Sequence, residues 1–337
     1  MSSPSYSPNP HLGDILEASK YVKDVLVSEW EINNLANMLS SKDLKAPDWR
    51  LPIFPESIEN FVEFIGVVNS VNFCFVHADS GKRFDVEYDG KVWEGAFGLA
   101  AAFKRALDEG IPVCDPHFLF SLELGQLAHI LRPKTTLIPL FVERLKHLKN
   151  VGRALLEMQT SFSRFLLVHK FSLFPTYYGG GIINSLPSLD SYRDTVFWKA
   201  GDKVHVLRFN KRAYLFAMVY HGRISSAGFK SVNIVDPGNF LPITDYRIPQ
   251  VLRSFGVLIY SKELAEMVDG RVVLKRNSDM EIGIRVQTVN AMTKLLKATN
   301  ELFPESKQIT MVELDYALWS LGRTLKSEHH LTMTTAY

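Results

Sequence analysis

The chain has 337 residues, 38 Lys and Arg against 36 Asp and Glu, a formal charge of +2 and 46% hydrophobic residues. This is the composition of a folded globule, and it excludes intrinsic disorder, collagen and long coiled coils for the chain as a whole. It argues equally against a broad basic face gripping a long polyanion, whereas a small anion needs only one or two placed cations. Residues 1–13, opening MSSPSYSPNP, are rich in Ser and Pro, lack an apolar signal core and read as a disordered tail. Ile15–Leu39 then carries apolar residues at three- and four-residue spacing, with Asp14 as its N-cap. Pro47, Pro52 and Pro55 make an extended linker, and Pro55-Glu56-Ser57 opens a helix with Ile58, Phe61, Phe64, Ile65 and Val68 on one face. Phe84–Tyr88 and Lys91–Glu94 alternate on either side of Asp89-Gly90, the pattern of a tight two-residue hairpin. Ala96–Asp108 is a small-residue helix ending before Gly110. Pro139 to Met158 reads as an amphipathic helix with Arg144, Lys146, Lys149 and Arg153 on a solvated face. Gly179-Gly180-Gly181 marks a loop without the strand–helix setting of a phosphate site. Helical patterns resume at Lys211–Tyr220, Ile248–Phe255, Lys262–Val268, Ile284–Leu302 and Met311–Arg323. The expectation is a single domain over 14–337, mainly α with a small β-hairpin (α+β).

General chemical signatures are sparse. Cys74 and Cys114 make neither a disulfide framework nor a zinc site, and fit buried thiols in a reducing compartment. The ten histidines do not fall into metal spacing, and His329-His330 read as coil or last strand. No Gly-x-Ser-x-Gly, His-Glu-x-x-His or dinucleotide fingerprint occurs. No metal or cofactor is therefore expected. The longest apolar runs fall far short of the ~20 residues that cross a bilayer, so no membrane role is expected and the protein is expected in the cytoplasm or nucleus.

A series of unusual segments goes further. In order they are Val71-Asn72-Phe73-Cys74-Phe75, Tyr88–Lys91 leading into Gly95, RALDEGIP at 105–112, PSLDSYRD at 187–194, Phe209–Ala213, TDYRIPQVL at 244–252, Ile284-Arg285 and LDYALW at 314–319. Together they resemble the queuosine salvage protein family, the queuosine 5′-phosphate N-glycosylase/hydrolases, from about Leu51 to Tyr337. The resemblance implies a helical, DNA-glycosylase-like architecture and hydrolysis of the N-glycosidic bond of queuosine 5′-monophosphate, releasing queuine for tRNA modification. It implies a small-molecule substrate and no stable nucleic-acid complex. The alternative is a non-catalytic binding protein for queuine, its nucleotide or modified tRNA, although a tRNA binder would carry a basic stripe that this sequence lacks.

Cleaving an N-glycosidic bond builds positive charge on the ribose, which a nearby carboxylate opposes. Asp245 is the expected catalytic carboxylate. By pattern alone it reads as an N-cap, and the resemblance reverses that preference. Lys211 opens an apolar helix and is expected either to bind the 5′-phosphate or to pair with the carboxylate. Asn72, Phe73 and Phe75 are expected in the base pocket, since alternate residues of an extended segment share a side. Phe97, Asp115, Tyr246 and Arg247 complete the expected substrate-binding set. Phe97 is the one aromatic where the family often has a pair after the hairpin glycine. Val76, Met218 and Gly283 also depart from the family's usual Trp, Asp and Glu. Asp315 and Trp319 read as a packing and capping pair.

Overall fold

The computed structural model describes residues 9–175 and 180–337. Residues 1–8 of the expected tail, and Gly179 of the triple-glycine loop, lie outside the described residues. Helix α1 (Pro10–Ser19) already begins inside the segment expected as tail, because Asn9 accepts a hydrogen bond from the His11 amide and Pro10 suits the first helical position. The single helix expected over Ile15–Leu39 is divided into α1, the strand β1 (Val25–Val27) and α2 (Glu29–Ser40). Val22, Val25 and Val27 favour extended backbone, and Ser28 restarts the helix by accepting from the Glu31 amide. Asp14 accordingly lies within α1 rather than at its cap.

Ser57 caps α3 (Ile58–Ser70), the helix expected to open at Pro55-Glu56-Ser57. β2 (Asp85–Tyr88) and β3 (Lys91–Glu94) pair antiparallel about Asp89 and Gly90, both with positive φ, as a two-residue turn of this kind requires. Then follow α4 (Gly95–Asp108), α5 (Pro116–Ser121), α6 (Leu124–Ile130), α7 (Phe141–Glu157), α8 (Phe162–Val168) and α9 (Ile182–Ser185). A second hairpin, β4 (Thr195–Ala200) with β5 (Lys203–Arg208), was not foreseen, although Val196, Trp198 and Ala200 alternate inward against exposed Phe197 and Lys199. The chain closes with α10 (Lys211–Ser226), α11 (Arg247–Ser254), β6 (Leu258–Tyr260), which pairs with β1, then α12 (Lys262–Asp269), α13 (Asp279–Glu301) and α14 (Met311–Gly322). The protein is mainly helical with small two-stranded sheets.

The chain groups into two compact units. The first comprises Met1–Pro47, Asp194–Tyr214 and Asp236–Met333. Its centre is α13, whose Ile284, Val286, Val289, Met292 and Leu295 are buried and which packs against α1, α2, α11, β1 and β6. The second comprises Asp48–Arg193, Leu215–Val235 and Thr334–Tyr337. There α3 packs against α4, α7 and α8, and Gly66 lets α8 approach so closely that a Cβ would lie 2.3 Å from the Phe162 ring.

Arg144 corrects the solvated-face reading of α7, for it is 0% exposed. Its guanidinium donates to the carbonyls of Pro139, Val71, Phe73 and Cys74. Those carbonyls belong to irregular backbone, and a planar five-donor cation satisfies several of them at once. Cys74 is buried as expected, but Cys114 is only partly so. Among the described residues no helix is long and apolar enough to cross a membrane.

Candidate active site

The first unit holds a turn, Ile243–Asp245, to which charged side chains from three helices attach. Asp194 and Arg285 are both buried and form a two-pronged ion pair, with Nη1 3.1 Å from Oδ1. The same guanidinium donates from Nε to the Thr244 carbonyl at 3.2 Å and lies 3.9 Å from the centre of the Phe209 ring. Asp194 in turn fixes the start of α10. Its carbonyl accepts from the amides of Phe209 and Asn210, and its carboxylate accepts from the Lys211 amide at 3.4 Å. Asn210 adopts a positive φ of 42°, a conformation Asn tolerates better than most residues, and this directs the chain into the helix. One ion pair therefore anchors both the residue before Asp245 and the first residue of α10.

Lys211 and Asp245 meet across this frame, with Nζ 3.9 Å from Oδ2. The lysine side chain is 3% exposed and the carboxylate 13%. The other oxygen, Oδ1, accepts from the Arg247 amide at 2.7 Å, so the turn does use Asp245 at the start of α11. A backbone hydrogen bond to one oxygen and an ammonium facing the other coexist because each oxygen has its own partner. Burial pushes the Lys211 ammonium down to about 8, with Arg212 adding repulsion and Asp245, Asp194 and Asp315 opposing the shift. Asp315, from α14, accepts from the Ile243 amide at 2.7 Å. Burial, and then the charge of Asp245, raise its carboxyl to about 8, against the Ile243 hydrogen bond and Lys211. The Tyr246 ring is half-buried and stacks on His329 at 4.3 Å, while Arg247 is buried and donates to Gln250 and to the Gly322 carbonyl.

Of the expected site residues, Lys211, Asp245, Tyr246 and Arg247 are thus brought together in the first unit. Asn72, Phe73, Phe75, Phe97 and Asp115 belong to the second. Phe73 and Phe75 do share a side, since the Arg144 guanidinium lies 4.3 Å from one ring centre and 5.3 Å from the other, and both are buried. Asn72 is buried and donates to Asn69. Asp115 is exposed and caps α5 by accepting from the Phe118 amide at 2.8 Å. Phe97 is half-buried between Trp49 and Trp93, both edge-on to it. The second unit also has a cavity of about 1190 Å³ whose lining includes Arg50, Lys104, Asp108, Cys114 and Arg223, and none of the expected site residues. Lys104 is paired there with Asp108 and Tyr88, and Arg223 with the carbonyls of Pro55 and Glu56.

Residues 53–337 match the sequence profile described as queuosine salvage protein. The chain belongs to the queuosine salvage protein family. Relatives named queuosine 5′-phosphate N-glycosylase/hydrolase include one from Sphaerobacter thermophilus, 27% identical over 98% of this chain and 99% of its own. Another, from Bos taurus, is 28% identical over 91% of this chain and 92% of its own. The Mus musculus relative is 27% identical over 95% and 94%. The resemblance drawn from the ordered segments is thereby established as membership of the family. Sequence reasoning missed the parts played by Asp194, Arg285 and Asp315. Each lies in one of the segments that carry the resemblance, as a charged residue that the helix or loop turns inward. That conjunction was the available signal.

Proposed function

We propose that this chain hydrolyses the N-glycosidic bond of queuosine 5′-phosphate and releases queuine for salvage. The observation that carries the reading is the Asp245 carboxylate, with one oxygen held by backbone and the other facing a buried lysine, inside a family whose named relatives act on this nucleotide. In the reaction the C1′–N9 bond breaks and its electron pair leaves with the base. Water bonds to C1′, one of its protons stays on the new hydroxyl, and the other balances the departed base. Asp245 opposes the oxocarbenium charge that develops between these events. Being fixed in a turn, it needs little rearrangement to do so.

Lys211 has the geometry of a partner for that carboxylate rather than of a phosphate receptor, being almost wholly buried and 3.9 Å from it. Tyr246 brings a half-buried ring, stacked on His329, next to Asp245 in the chain, and Arg247 contributes the amide that orients Oδ1. The helical architecture is read as DNA-glycosylase-like. On this reading the enzyme needs no cofactor, takes a mononucleotide rather than nucleic acid, and works in the cytoplasm or nucleus. The test is incubation of the full chain with queuosine 5′-phosphate, with mass spectrometry for queuine and ribose 5-phosphate. Both products in equal amounts are expected. Tight binding without either product would make the chain a binding protein instead.

A further inference from the structure

Asp315 has no task in the reaction as described, yet it is built into the same turn. It projects from α14, is 6% exposed, and accepts from the amide of Ile243, two residues before Asp245. The charges it feels are those of Asp245 and Lys211. Among the described residues, the cations of the elements packed on α14 have other partners. Arg247 of α11 is turned to Gln250 and the Gly322 carbonyl, Arg253 is paired with Asp269, and the Pro237–Asn239 turn carries no charge. On α14 itself, Glu313 is held in the capping box with Thr310. Asp245 and Asp315 thus both bear on the buried Lys211 ammonium, Asp245 as its ion-pair partner, while Asp194, which also bears on it, is paired with Arg285. Two like charges in so dry a site do not both ionise, and the proton goes to the group that loses more hydration. That group is Asp315, the less exposed of the two.

We propose that Asp315 is a positioning residue for Asp245, acting as an uncharged carboxylic acid that pins the Ile243–Asp245 turn without competing with Asp245 for the Lys211 ammonium. The inference rests on the reading of Asp245 as the reacting carboxylate. Its own protonation state can nevertheless be measured without any activity. Burial and the neighbouring charge lift the Asp315 carboxyl to about 8, in keeping with the neutral form.

Two variants test it. Asp315→Asn keeps an oxygen for the Ile243 amide and a donor in place of the acid proton, without charge, and Asp315→Ala keeps neither. Asp315→Asn should lose no more than about tenfold in kcat, whereas Asp315→Ala should lose about a hundredfold, the scale of a reacting group displaced by an ångström. The second readout is thermal stability against pH. A carboxyl that binds its proton more tightly when folded stabilises the protein at low pH and loses that contribution as pH rises from its ordinary value near 3.8 to about 8. The Tm of the wild type minus that of Asp315→Asn should therefore fall steadily across this range. A flat or rising difference, an Asn variant as impaired as Ala, an Asn variant that does not fold, or an Ala variant as active as Asn would each overturn the proposal. If the wild type releases no queuine, the proposed activity fails, and the stability curves still decide whether Asp315 is neutral.

Discussion

At the scale of single residues, the divided use of Asp245 answers a question the pattern leaves open. An Asp at a helix start is ordinarily read as a cap, and here Oδ1 does serve the Arg247 amide while Oδ2 faces Lys211. Replacing Lys211 with Met should lower turnover on queuosine 5′-phosphate and on the unphosphorylated nucleoside by the same factor, because the lysine serves the carboxylate. A preference for the nucleotide that narrows in this variant would return Lys211 to the phosphate. Since burial brings the ammonium down to about 8, kcat/KM of the wild type should fall as pH rises past that value and the pair loses its positive member. Both residues were visible in the sequence through the segments that hold them. Asp315 lies in such a segment too, but its part in the turn was not legible, because a helical repeat says which face is apolar but not which backbone amide a carboxyl within it will meet.

At the scale of elements, the turn Ile243–Asp245 is shaped by three helices that are distant in sequence. α10 brings Lys211, α13 brings Arg285, and α14 brings Asp315. The Asp194–Arg285 pair joins two of these attachments. Asp194→Ala removes the hydrogen-bonded carboxylate of a buried guanidinium and leaves it only Glu281, 3.8 Å from Nη1, so it should cost about 3 kcal/mol of stability, read as a lower midpoint in urea unfolding. A variant as stable as wild type would mean that the pair does not carry the frame. Local pattern foretold the hairpin at Asp89-Gly90 and most helices, where capping residues and apolar spacing agree. It failed between α1 and α2, where an apolar run of mixed period concealed a three-residue strand that pairs with β6 far along the chain. Pairing of that kind is decided by tertiary contacts rather than by local preference. The inward turn of Arg144 was hidden for a related reason. A basic run looks solvated until the irregular carbonyls it must satisfy are in place.

At the scale of the whole molecule, a formal charge of +2 suits a small anionic substrate, and the family profile covers residues 53–337. Acid stability should carry the mark of His330, which is buried and held neutral down to about pH 3 by burial, with His329 and Arg285 opposing its charge. The unfolded chain takes up a proton there below about 6.5 that the folded chain refuses, so stability falls as pH drops through that window. His330→Leu should therefore lose less stability on acidification than the wild type, and an identical acid limb would show that this histidine does not contribute. The central claim is that Asp245 supplies the charge that opposes the oxocarbenium ion, and one comparison tests it most directly. Asp245→Asn keeps size and the cap hydrogen bond while removing the charge. Queuine release from queuosine 5′-phosphate should fall at least ~10²-fold, with folding and nucleotide binding near normal. An Asn variant that releases queuine at the wild-type rate would contradict the account.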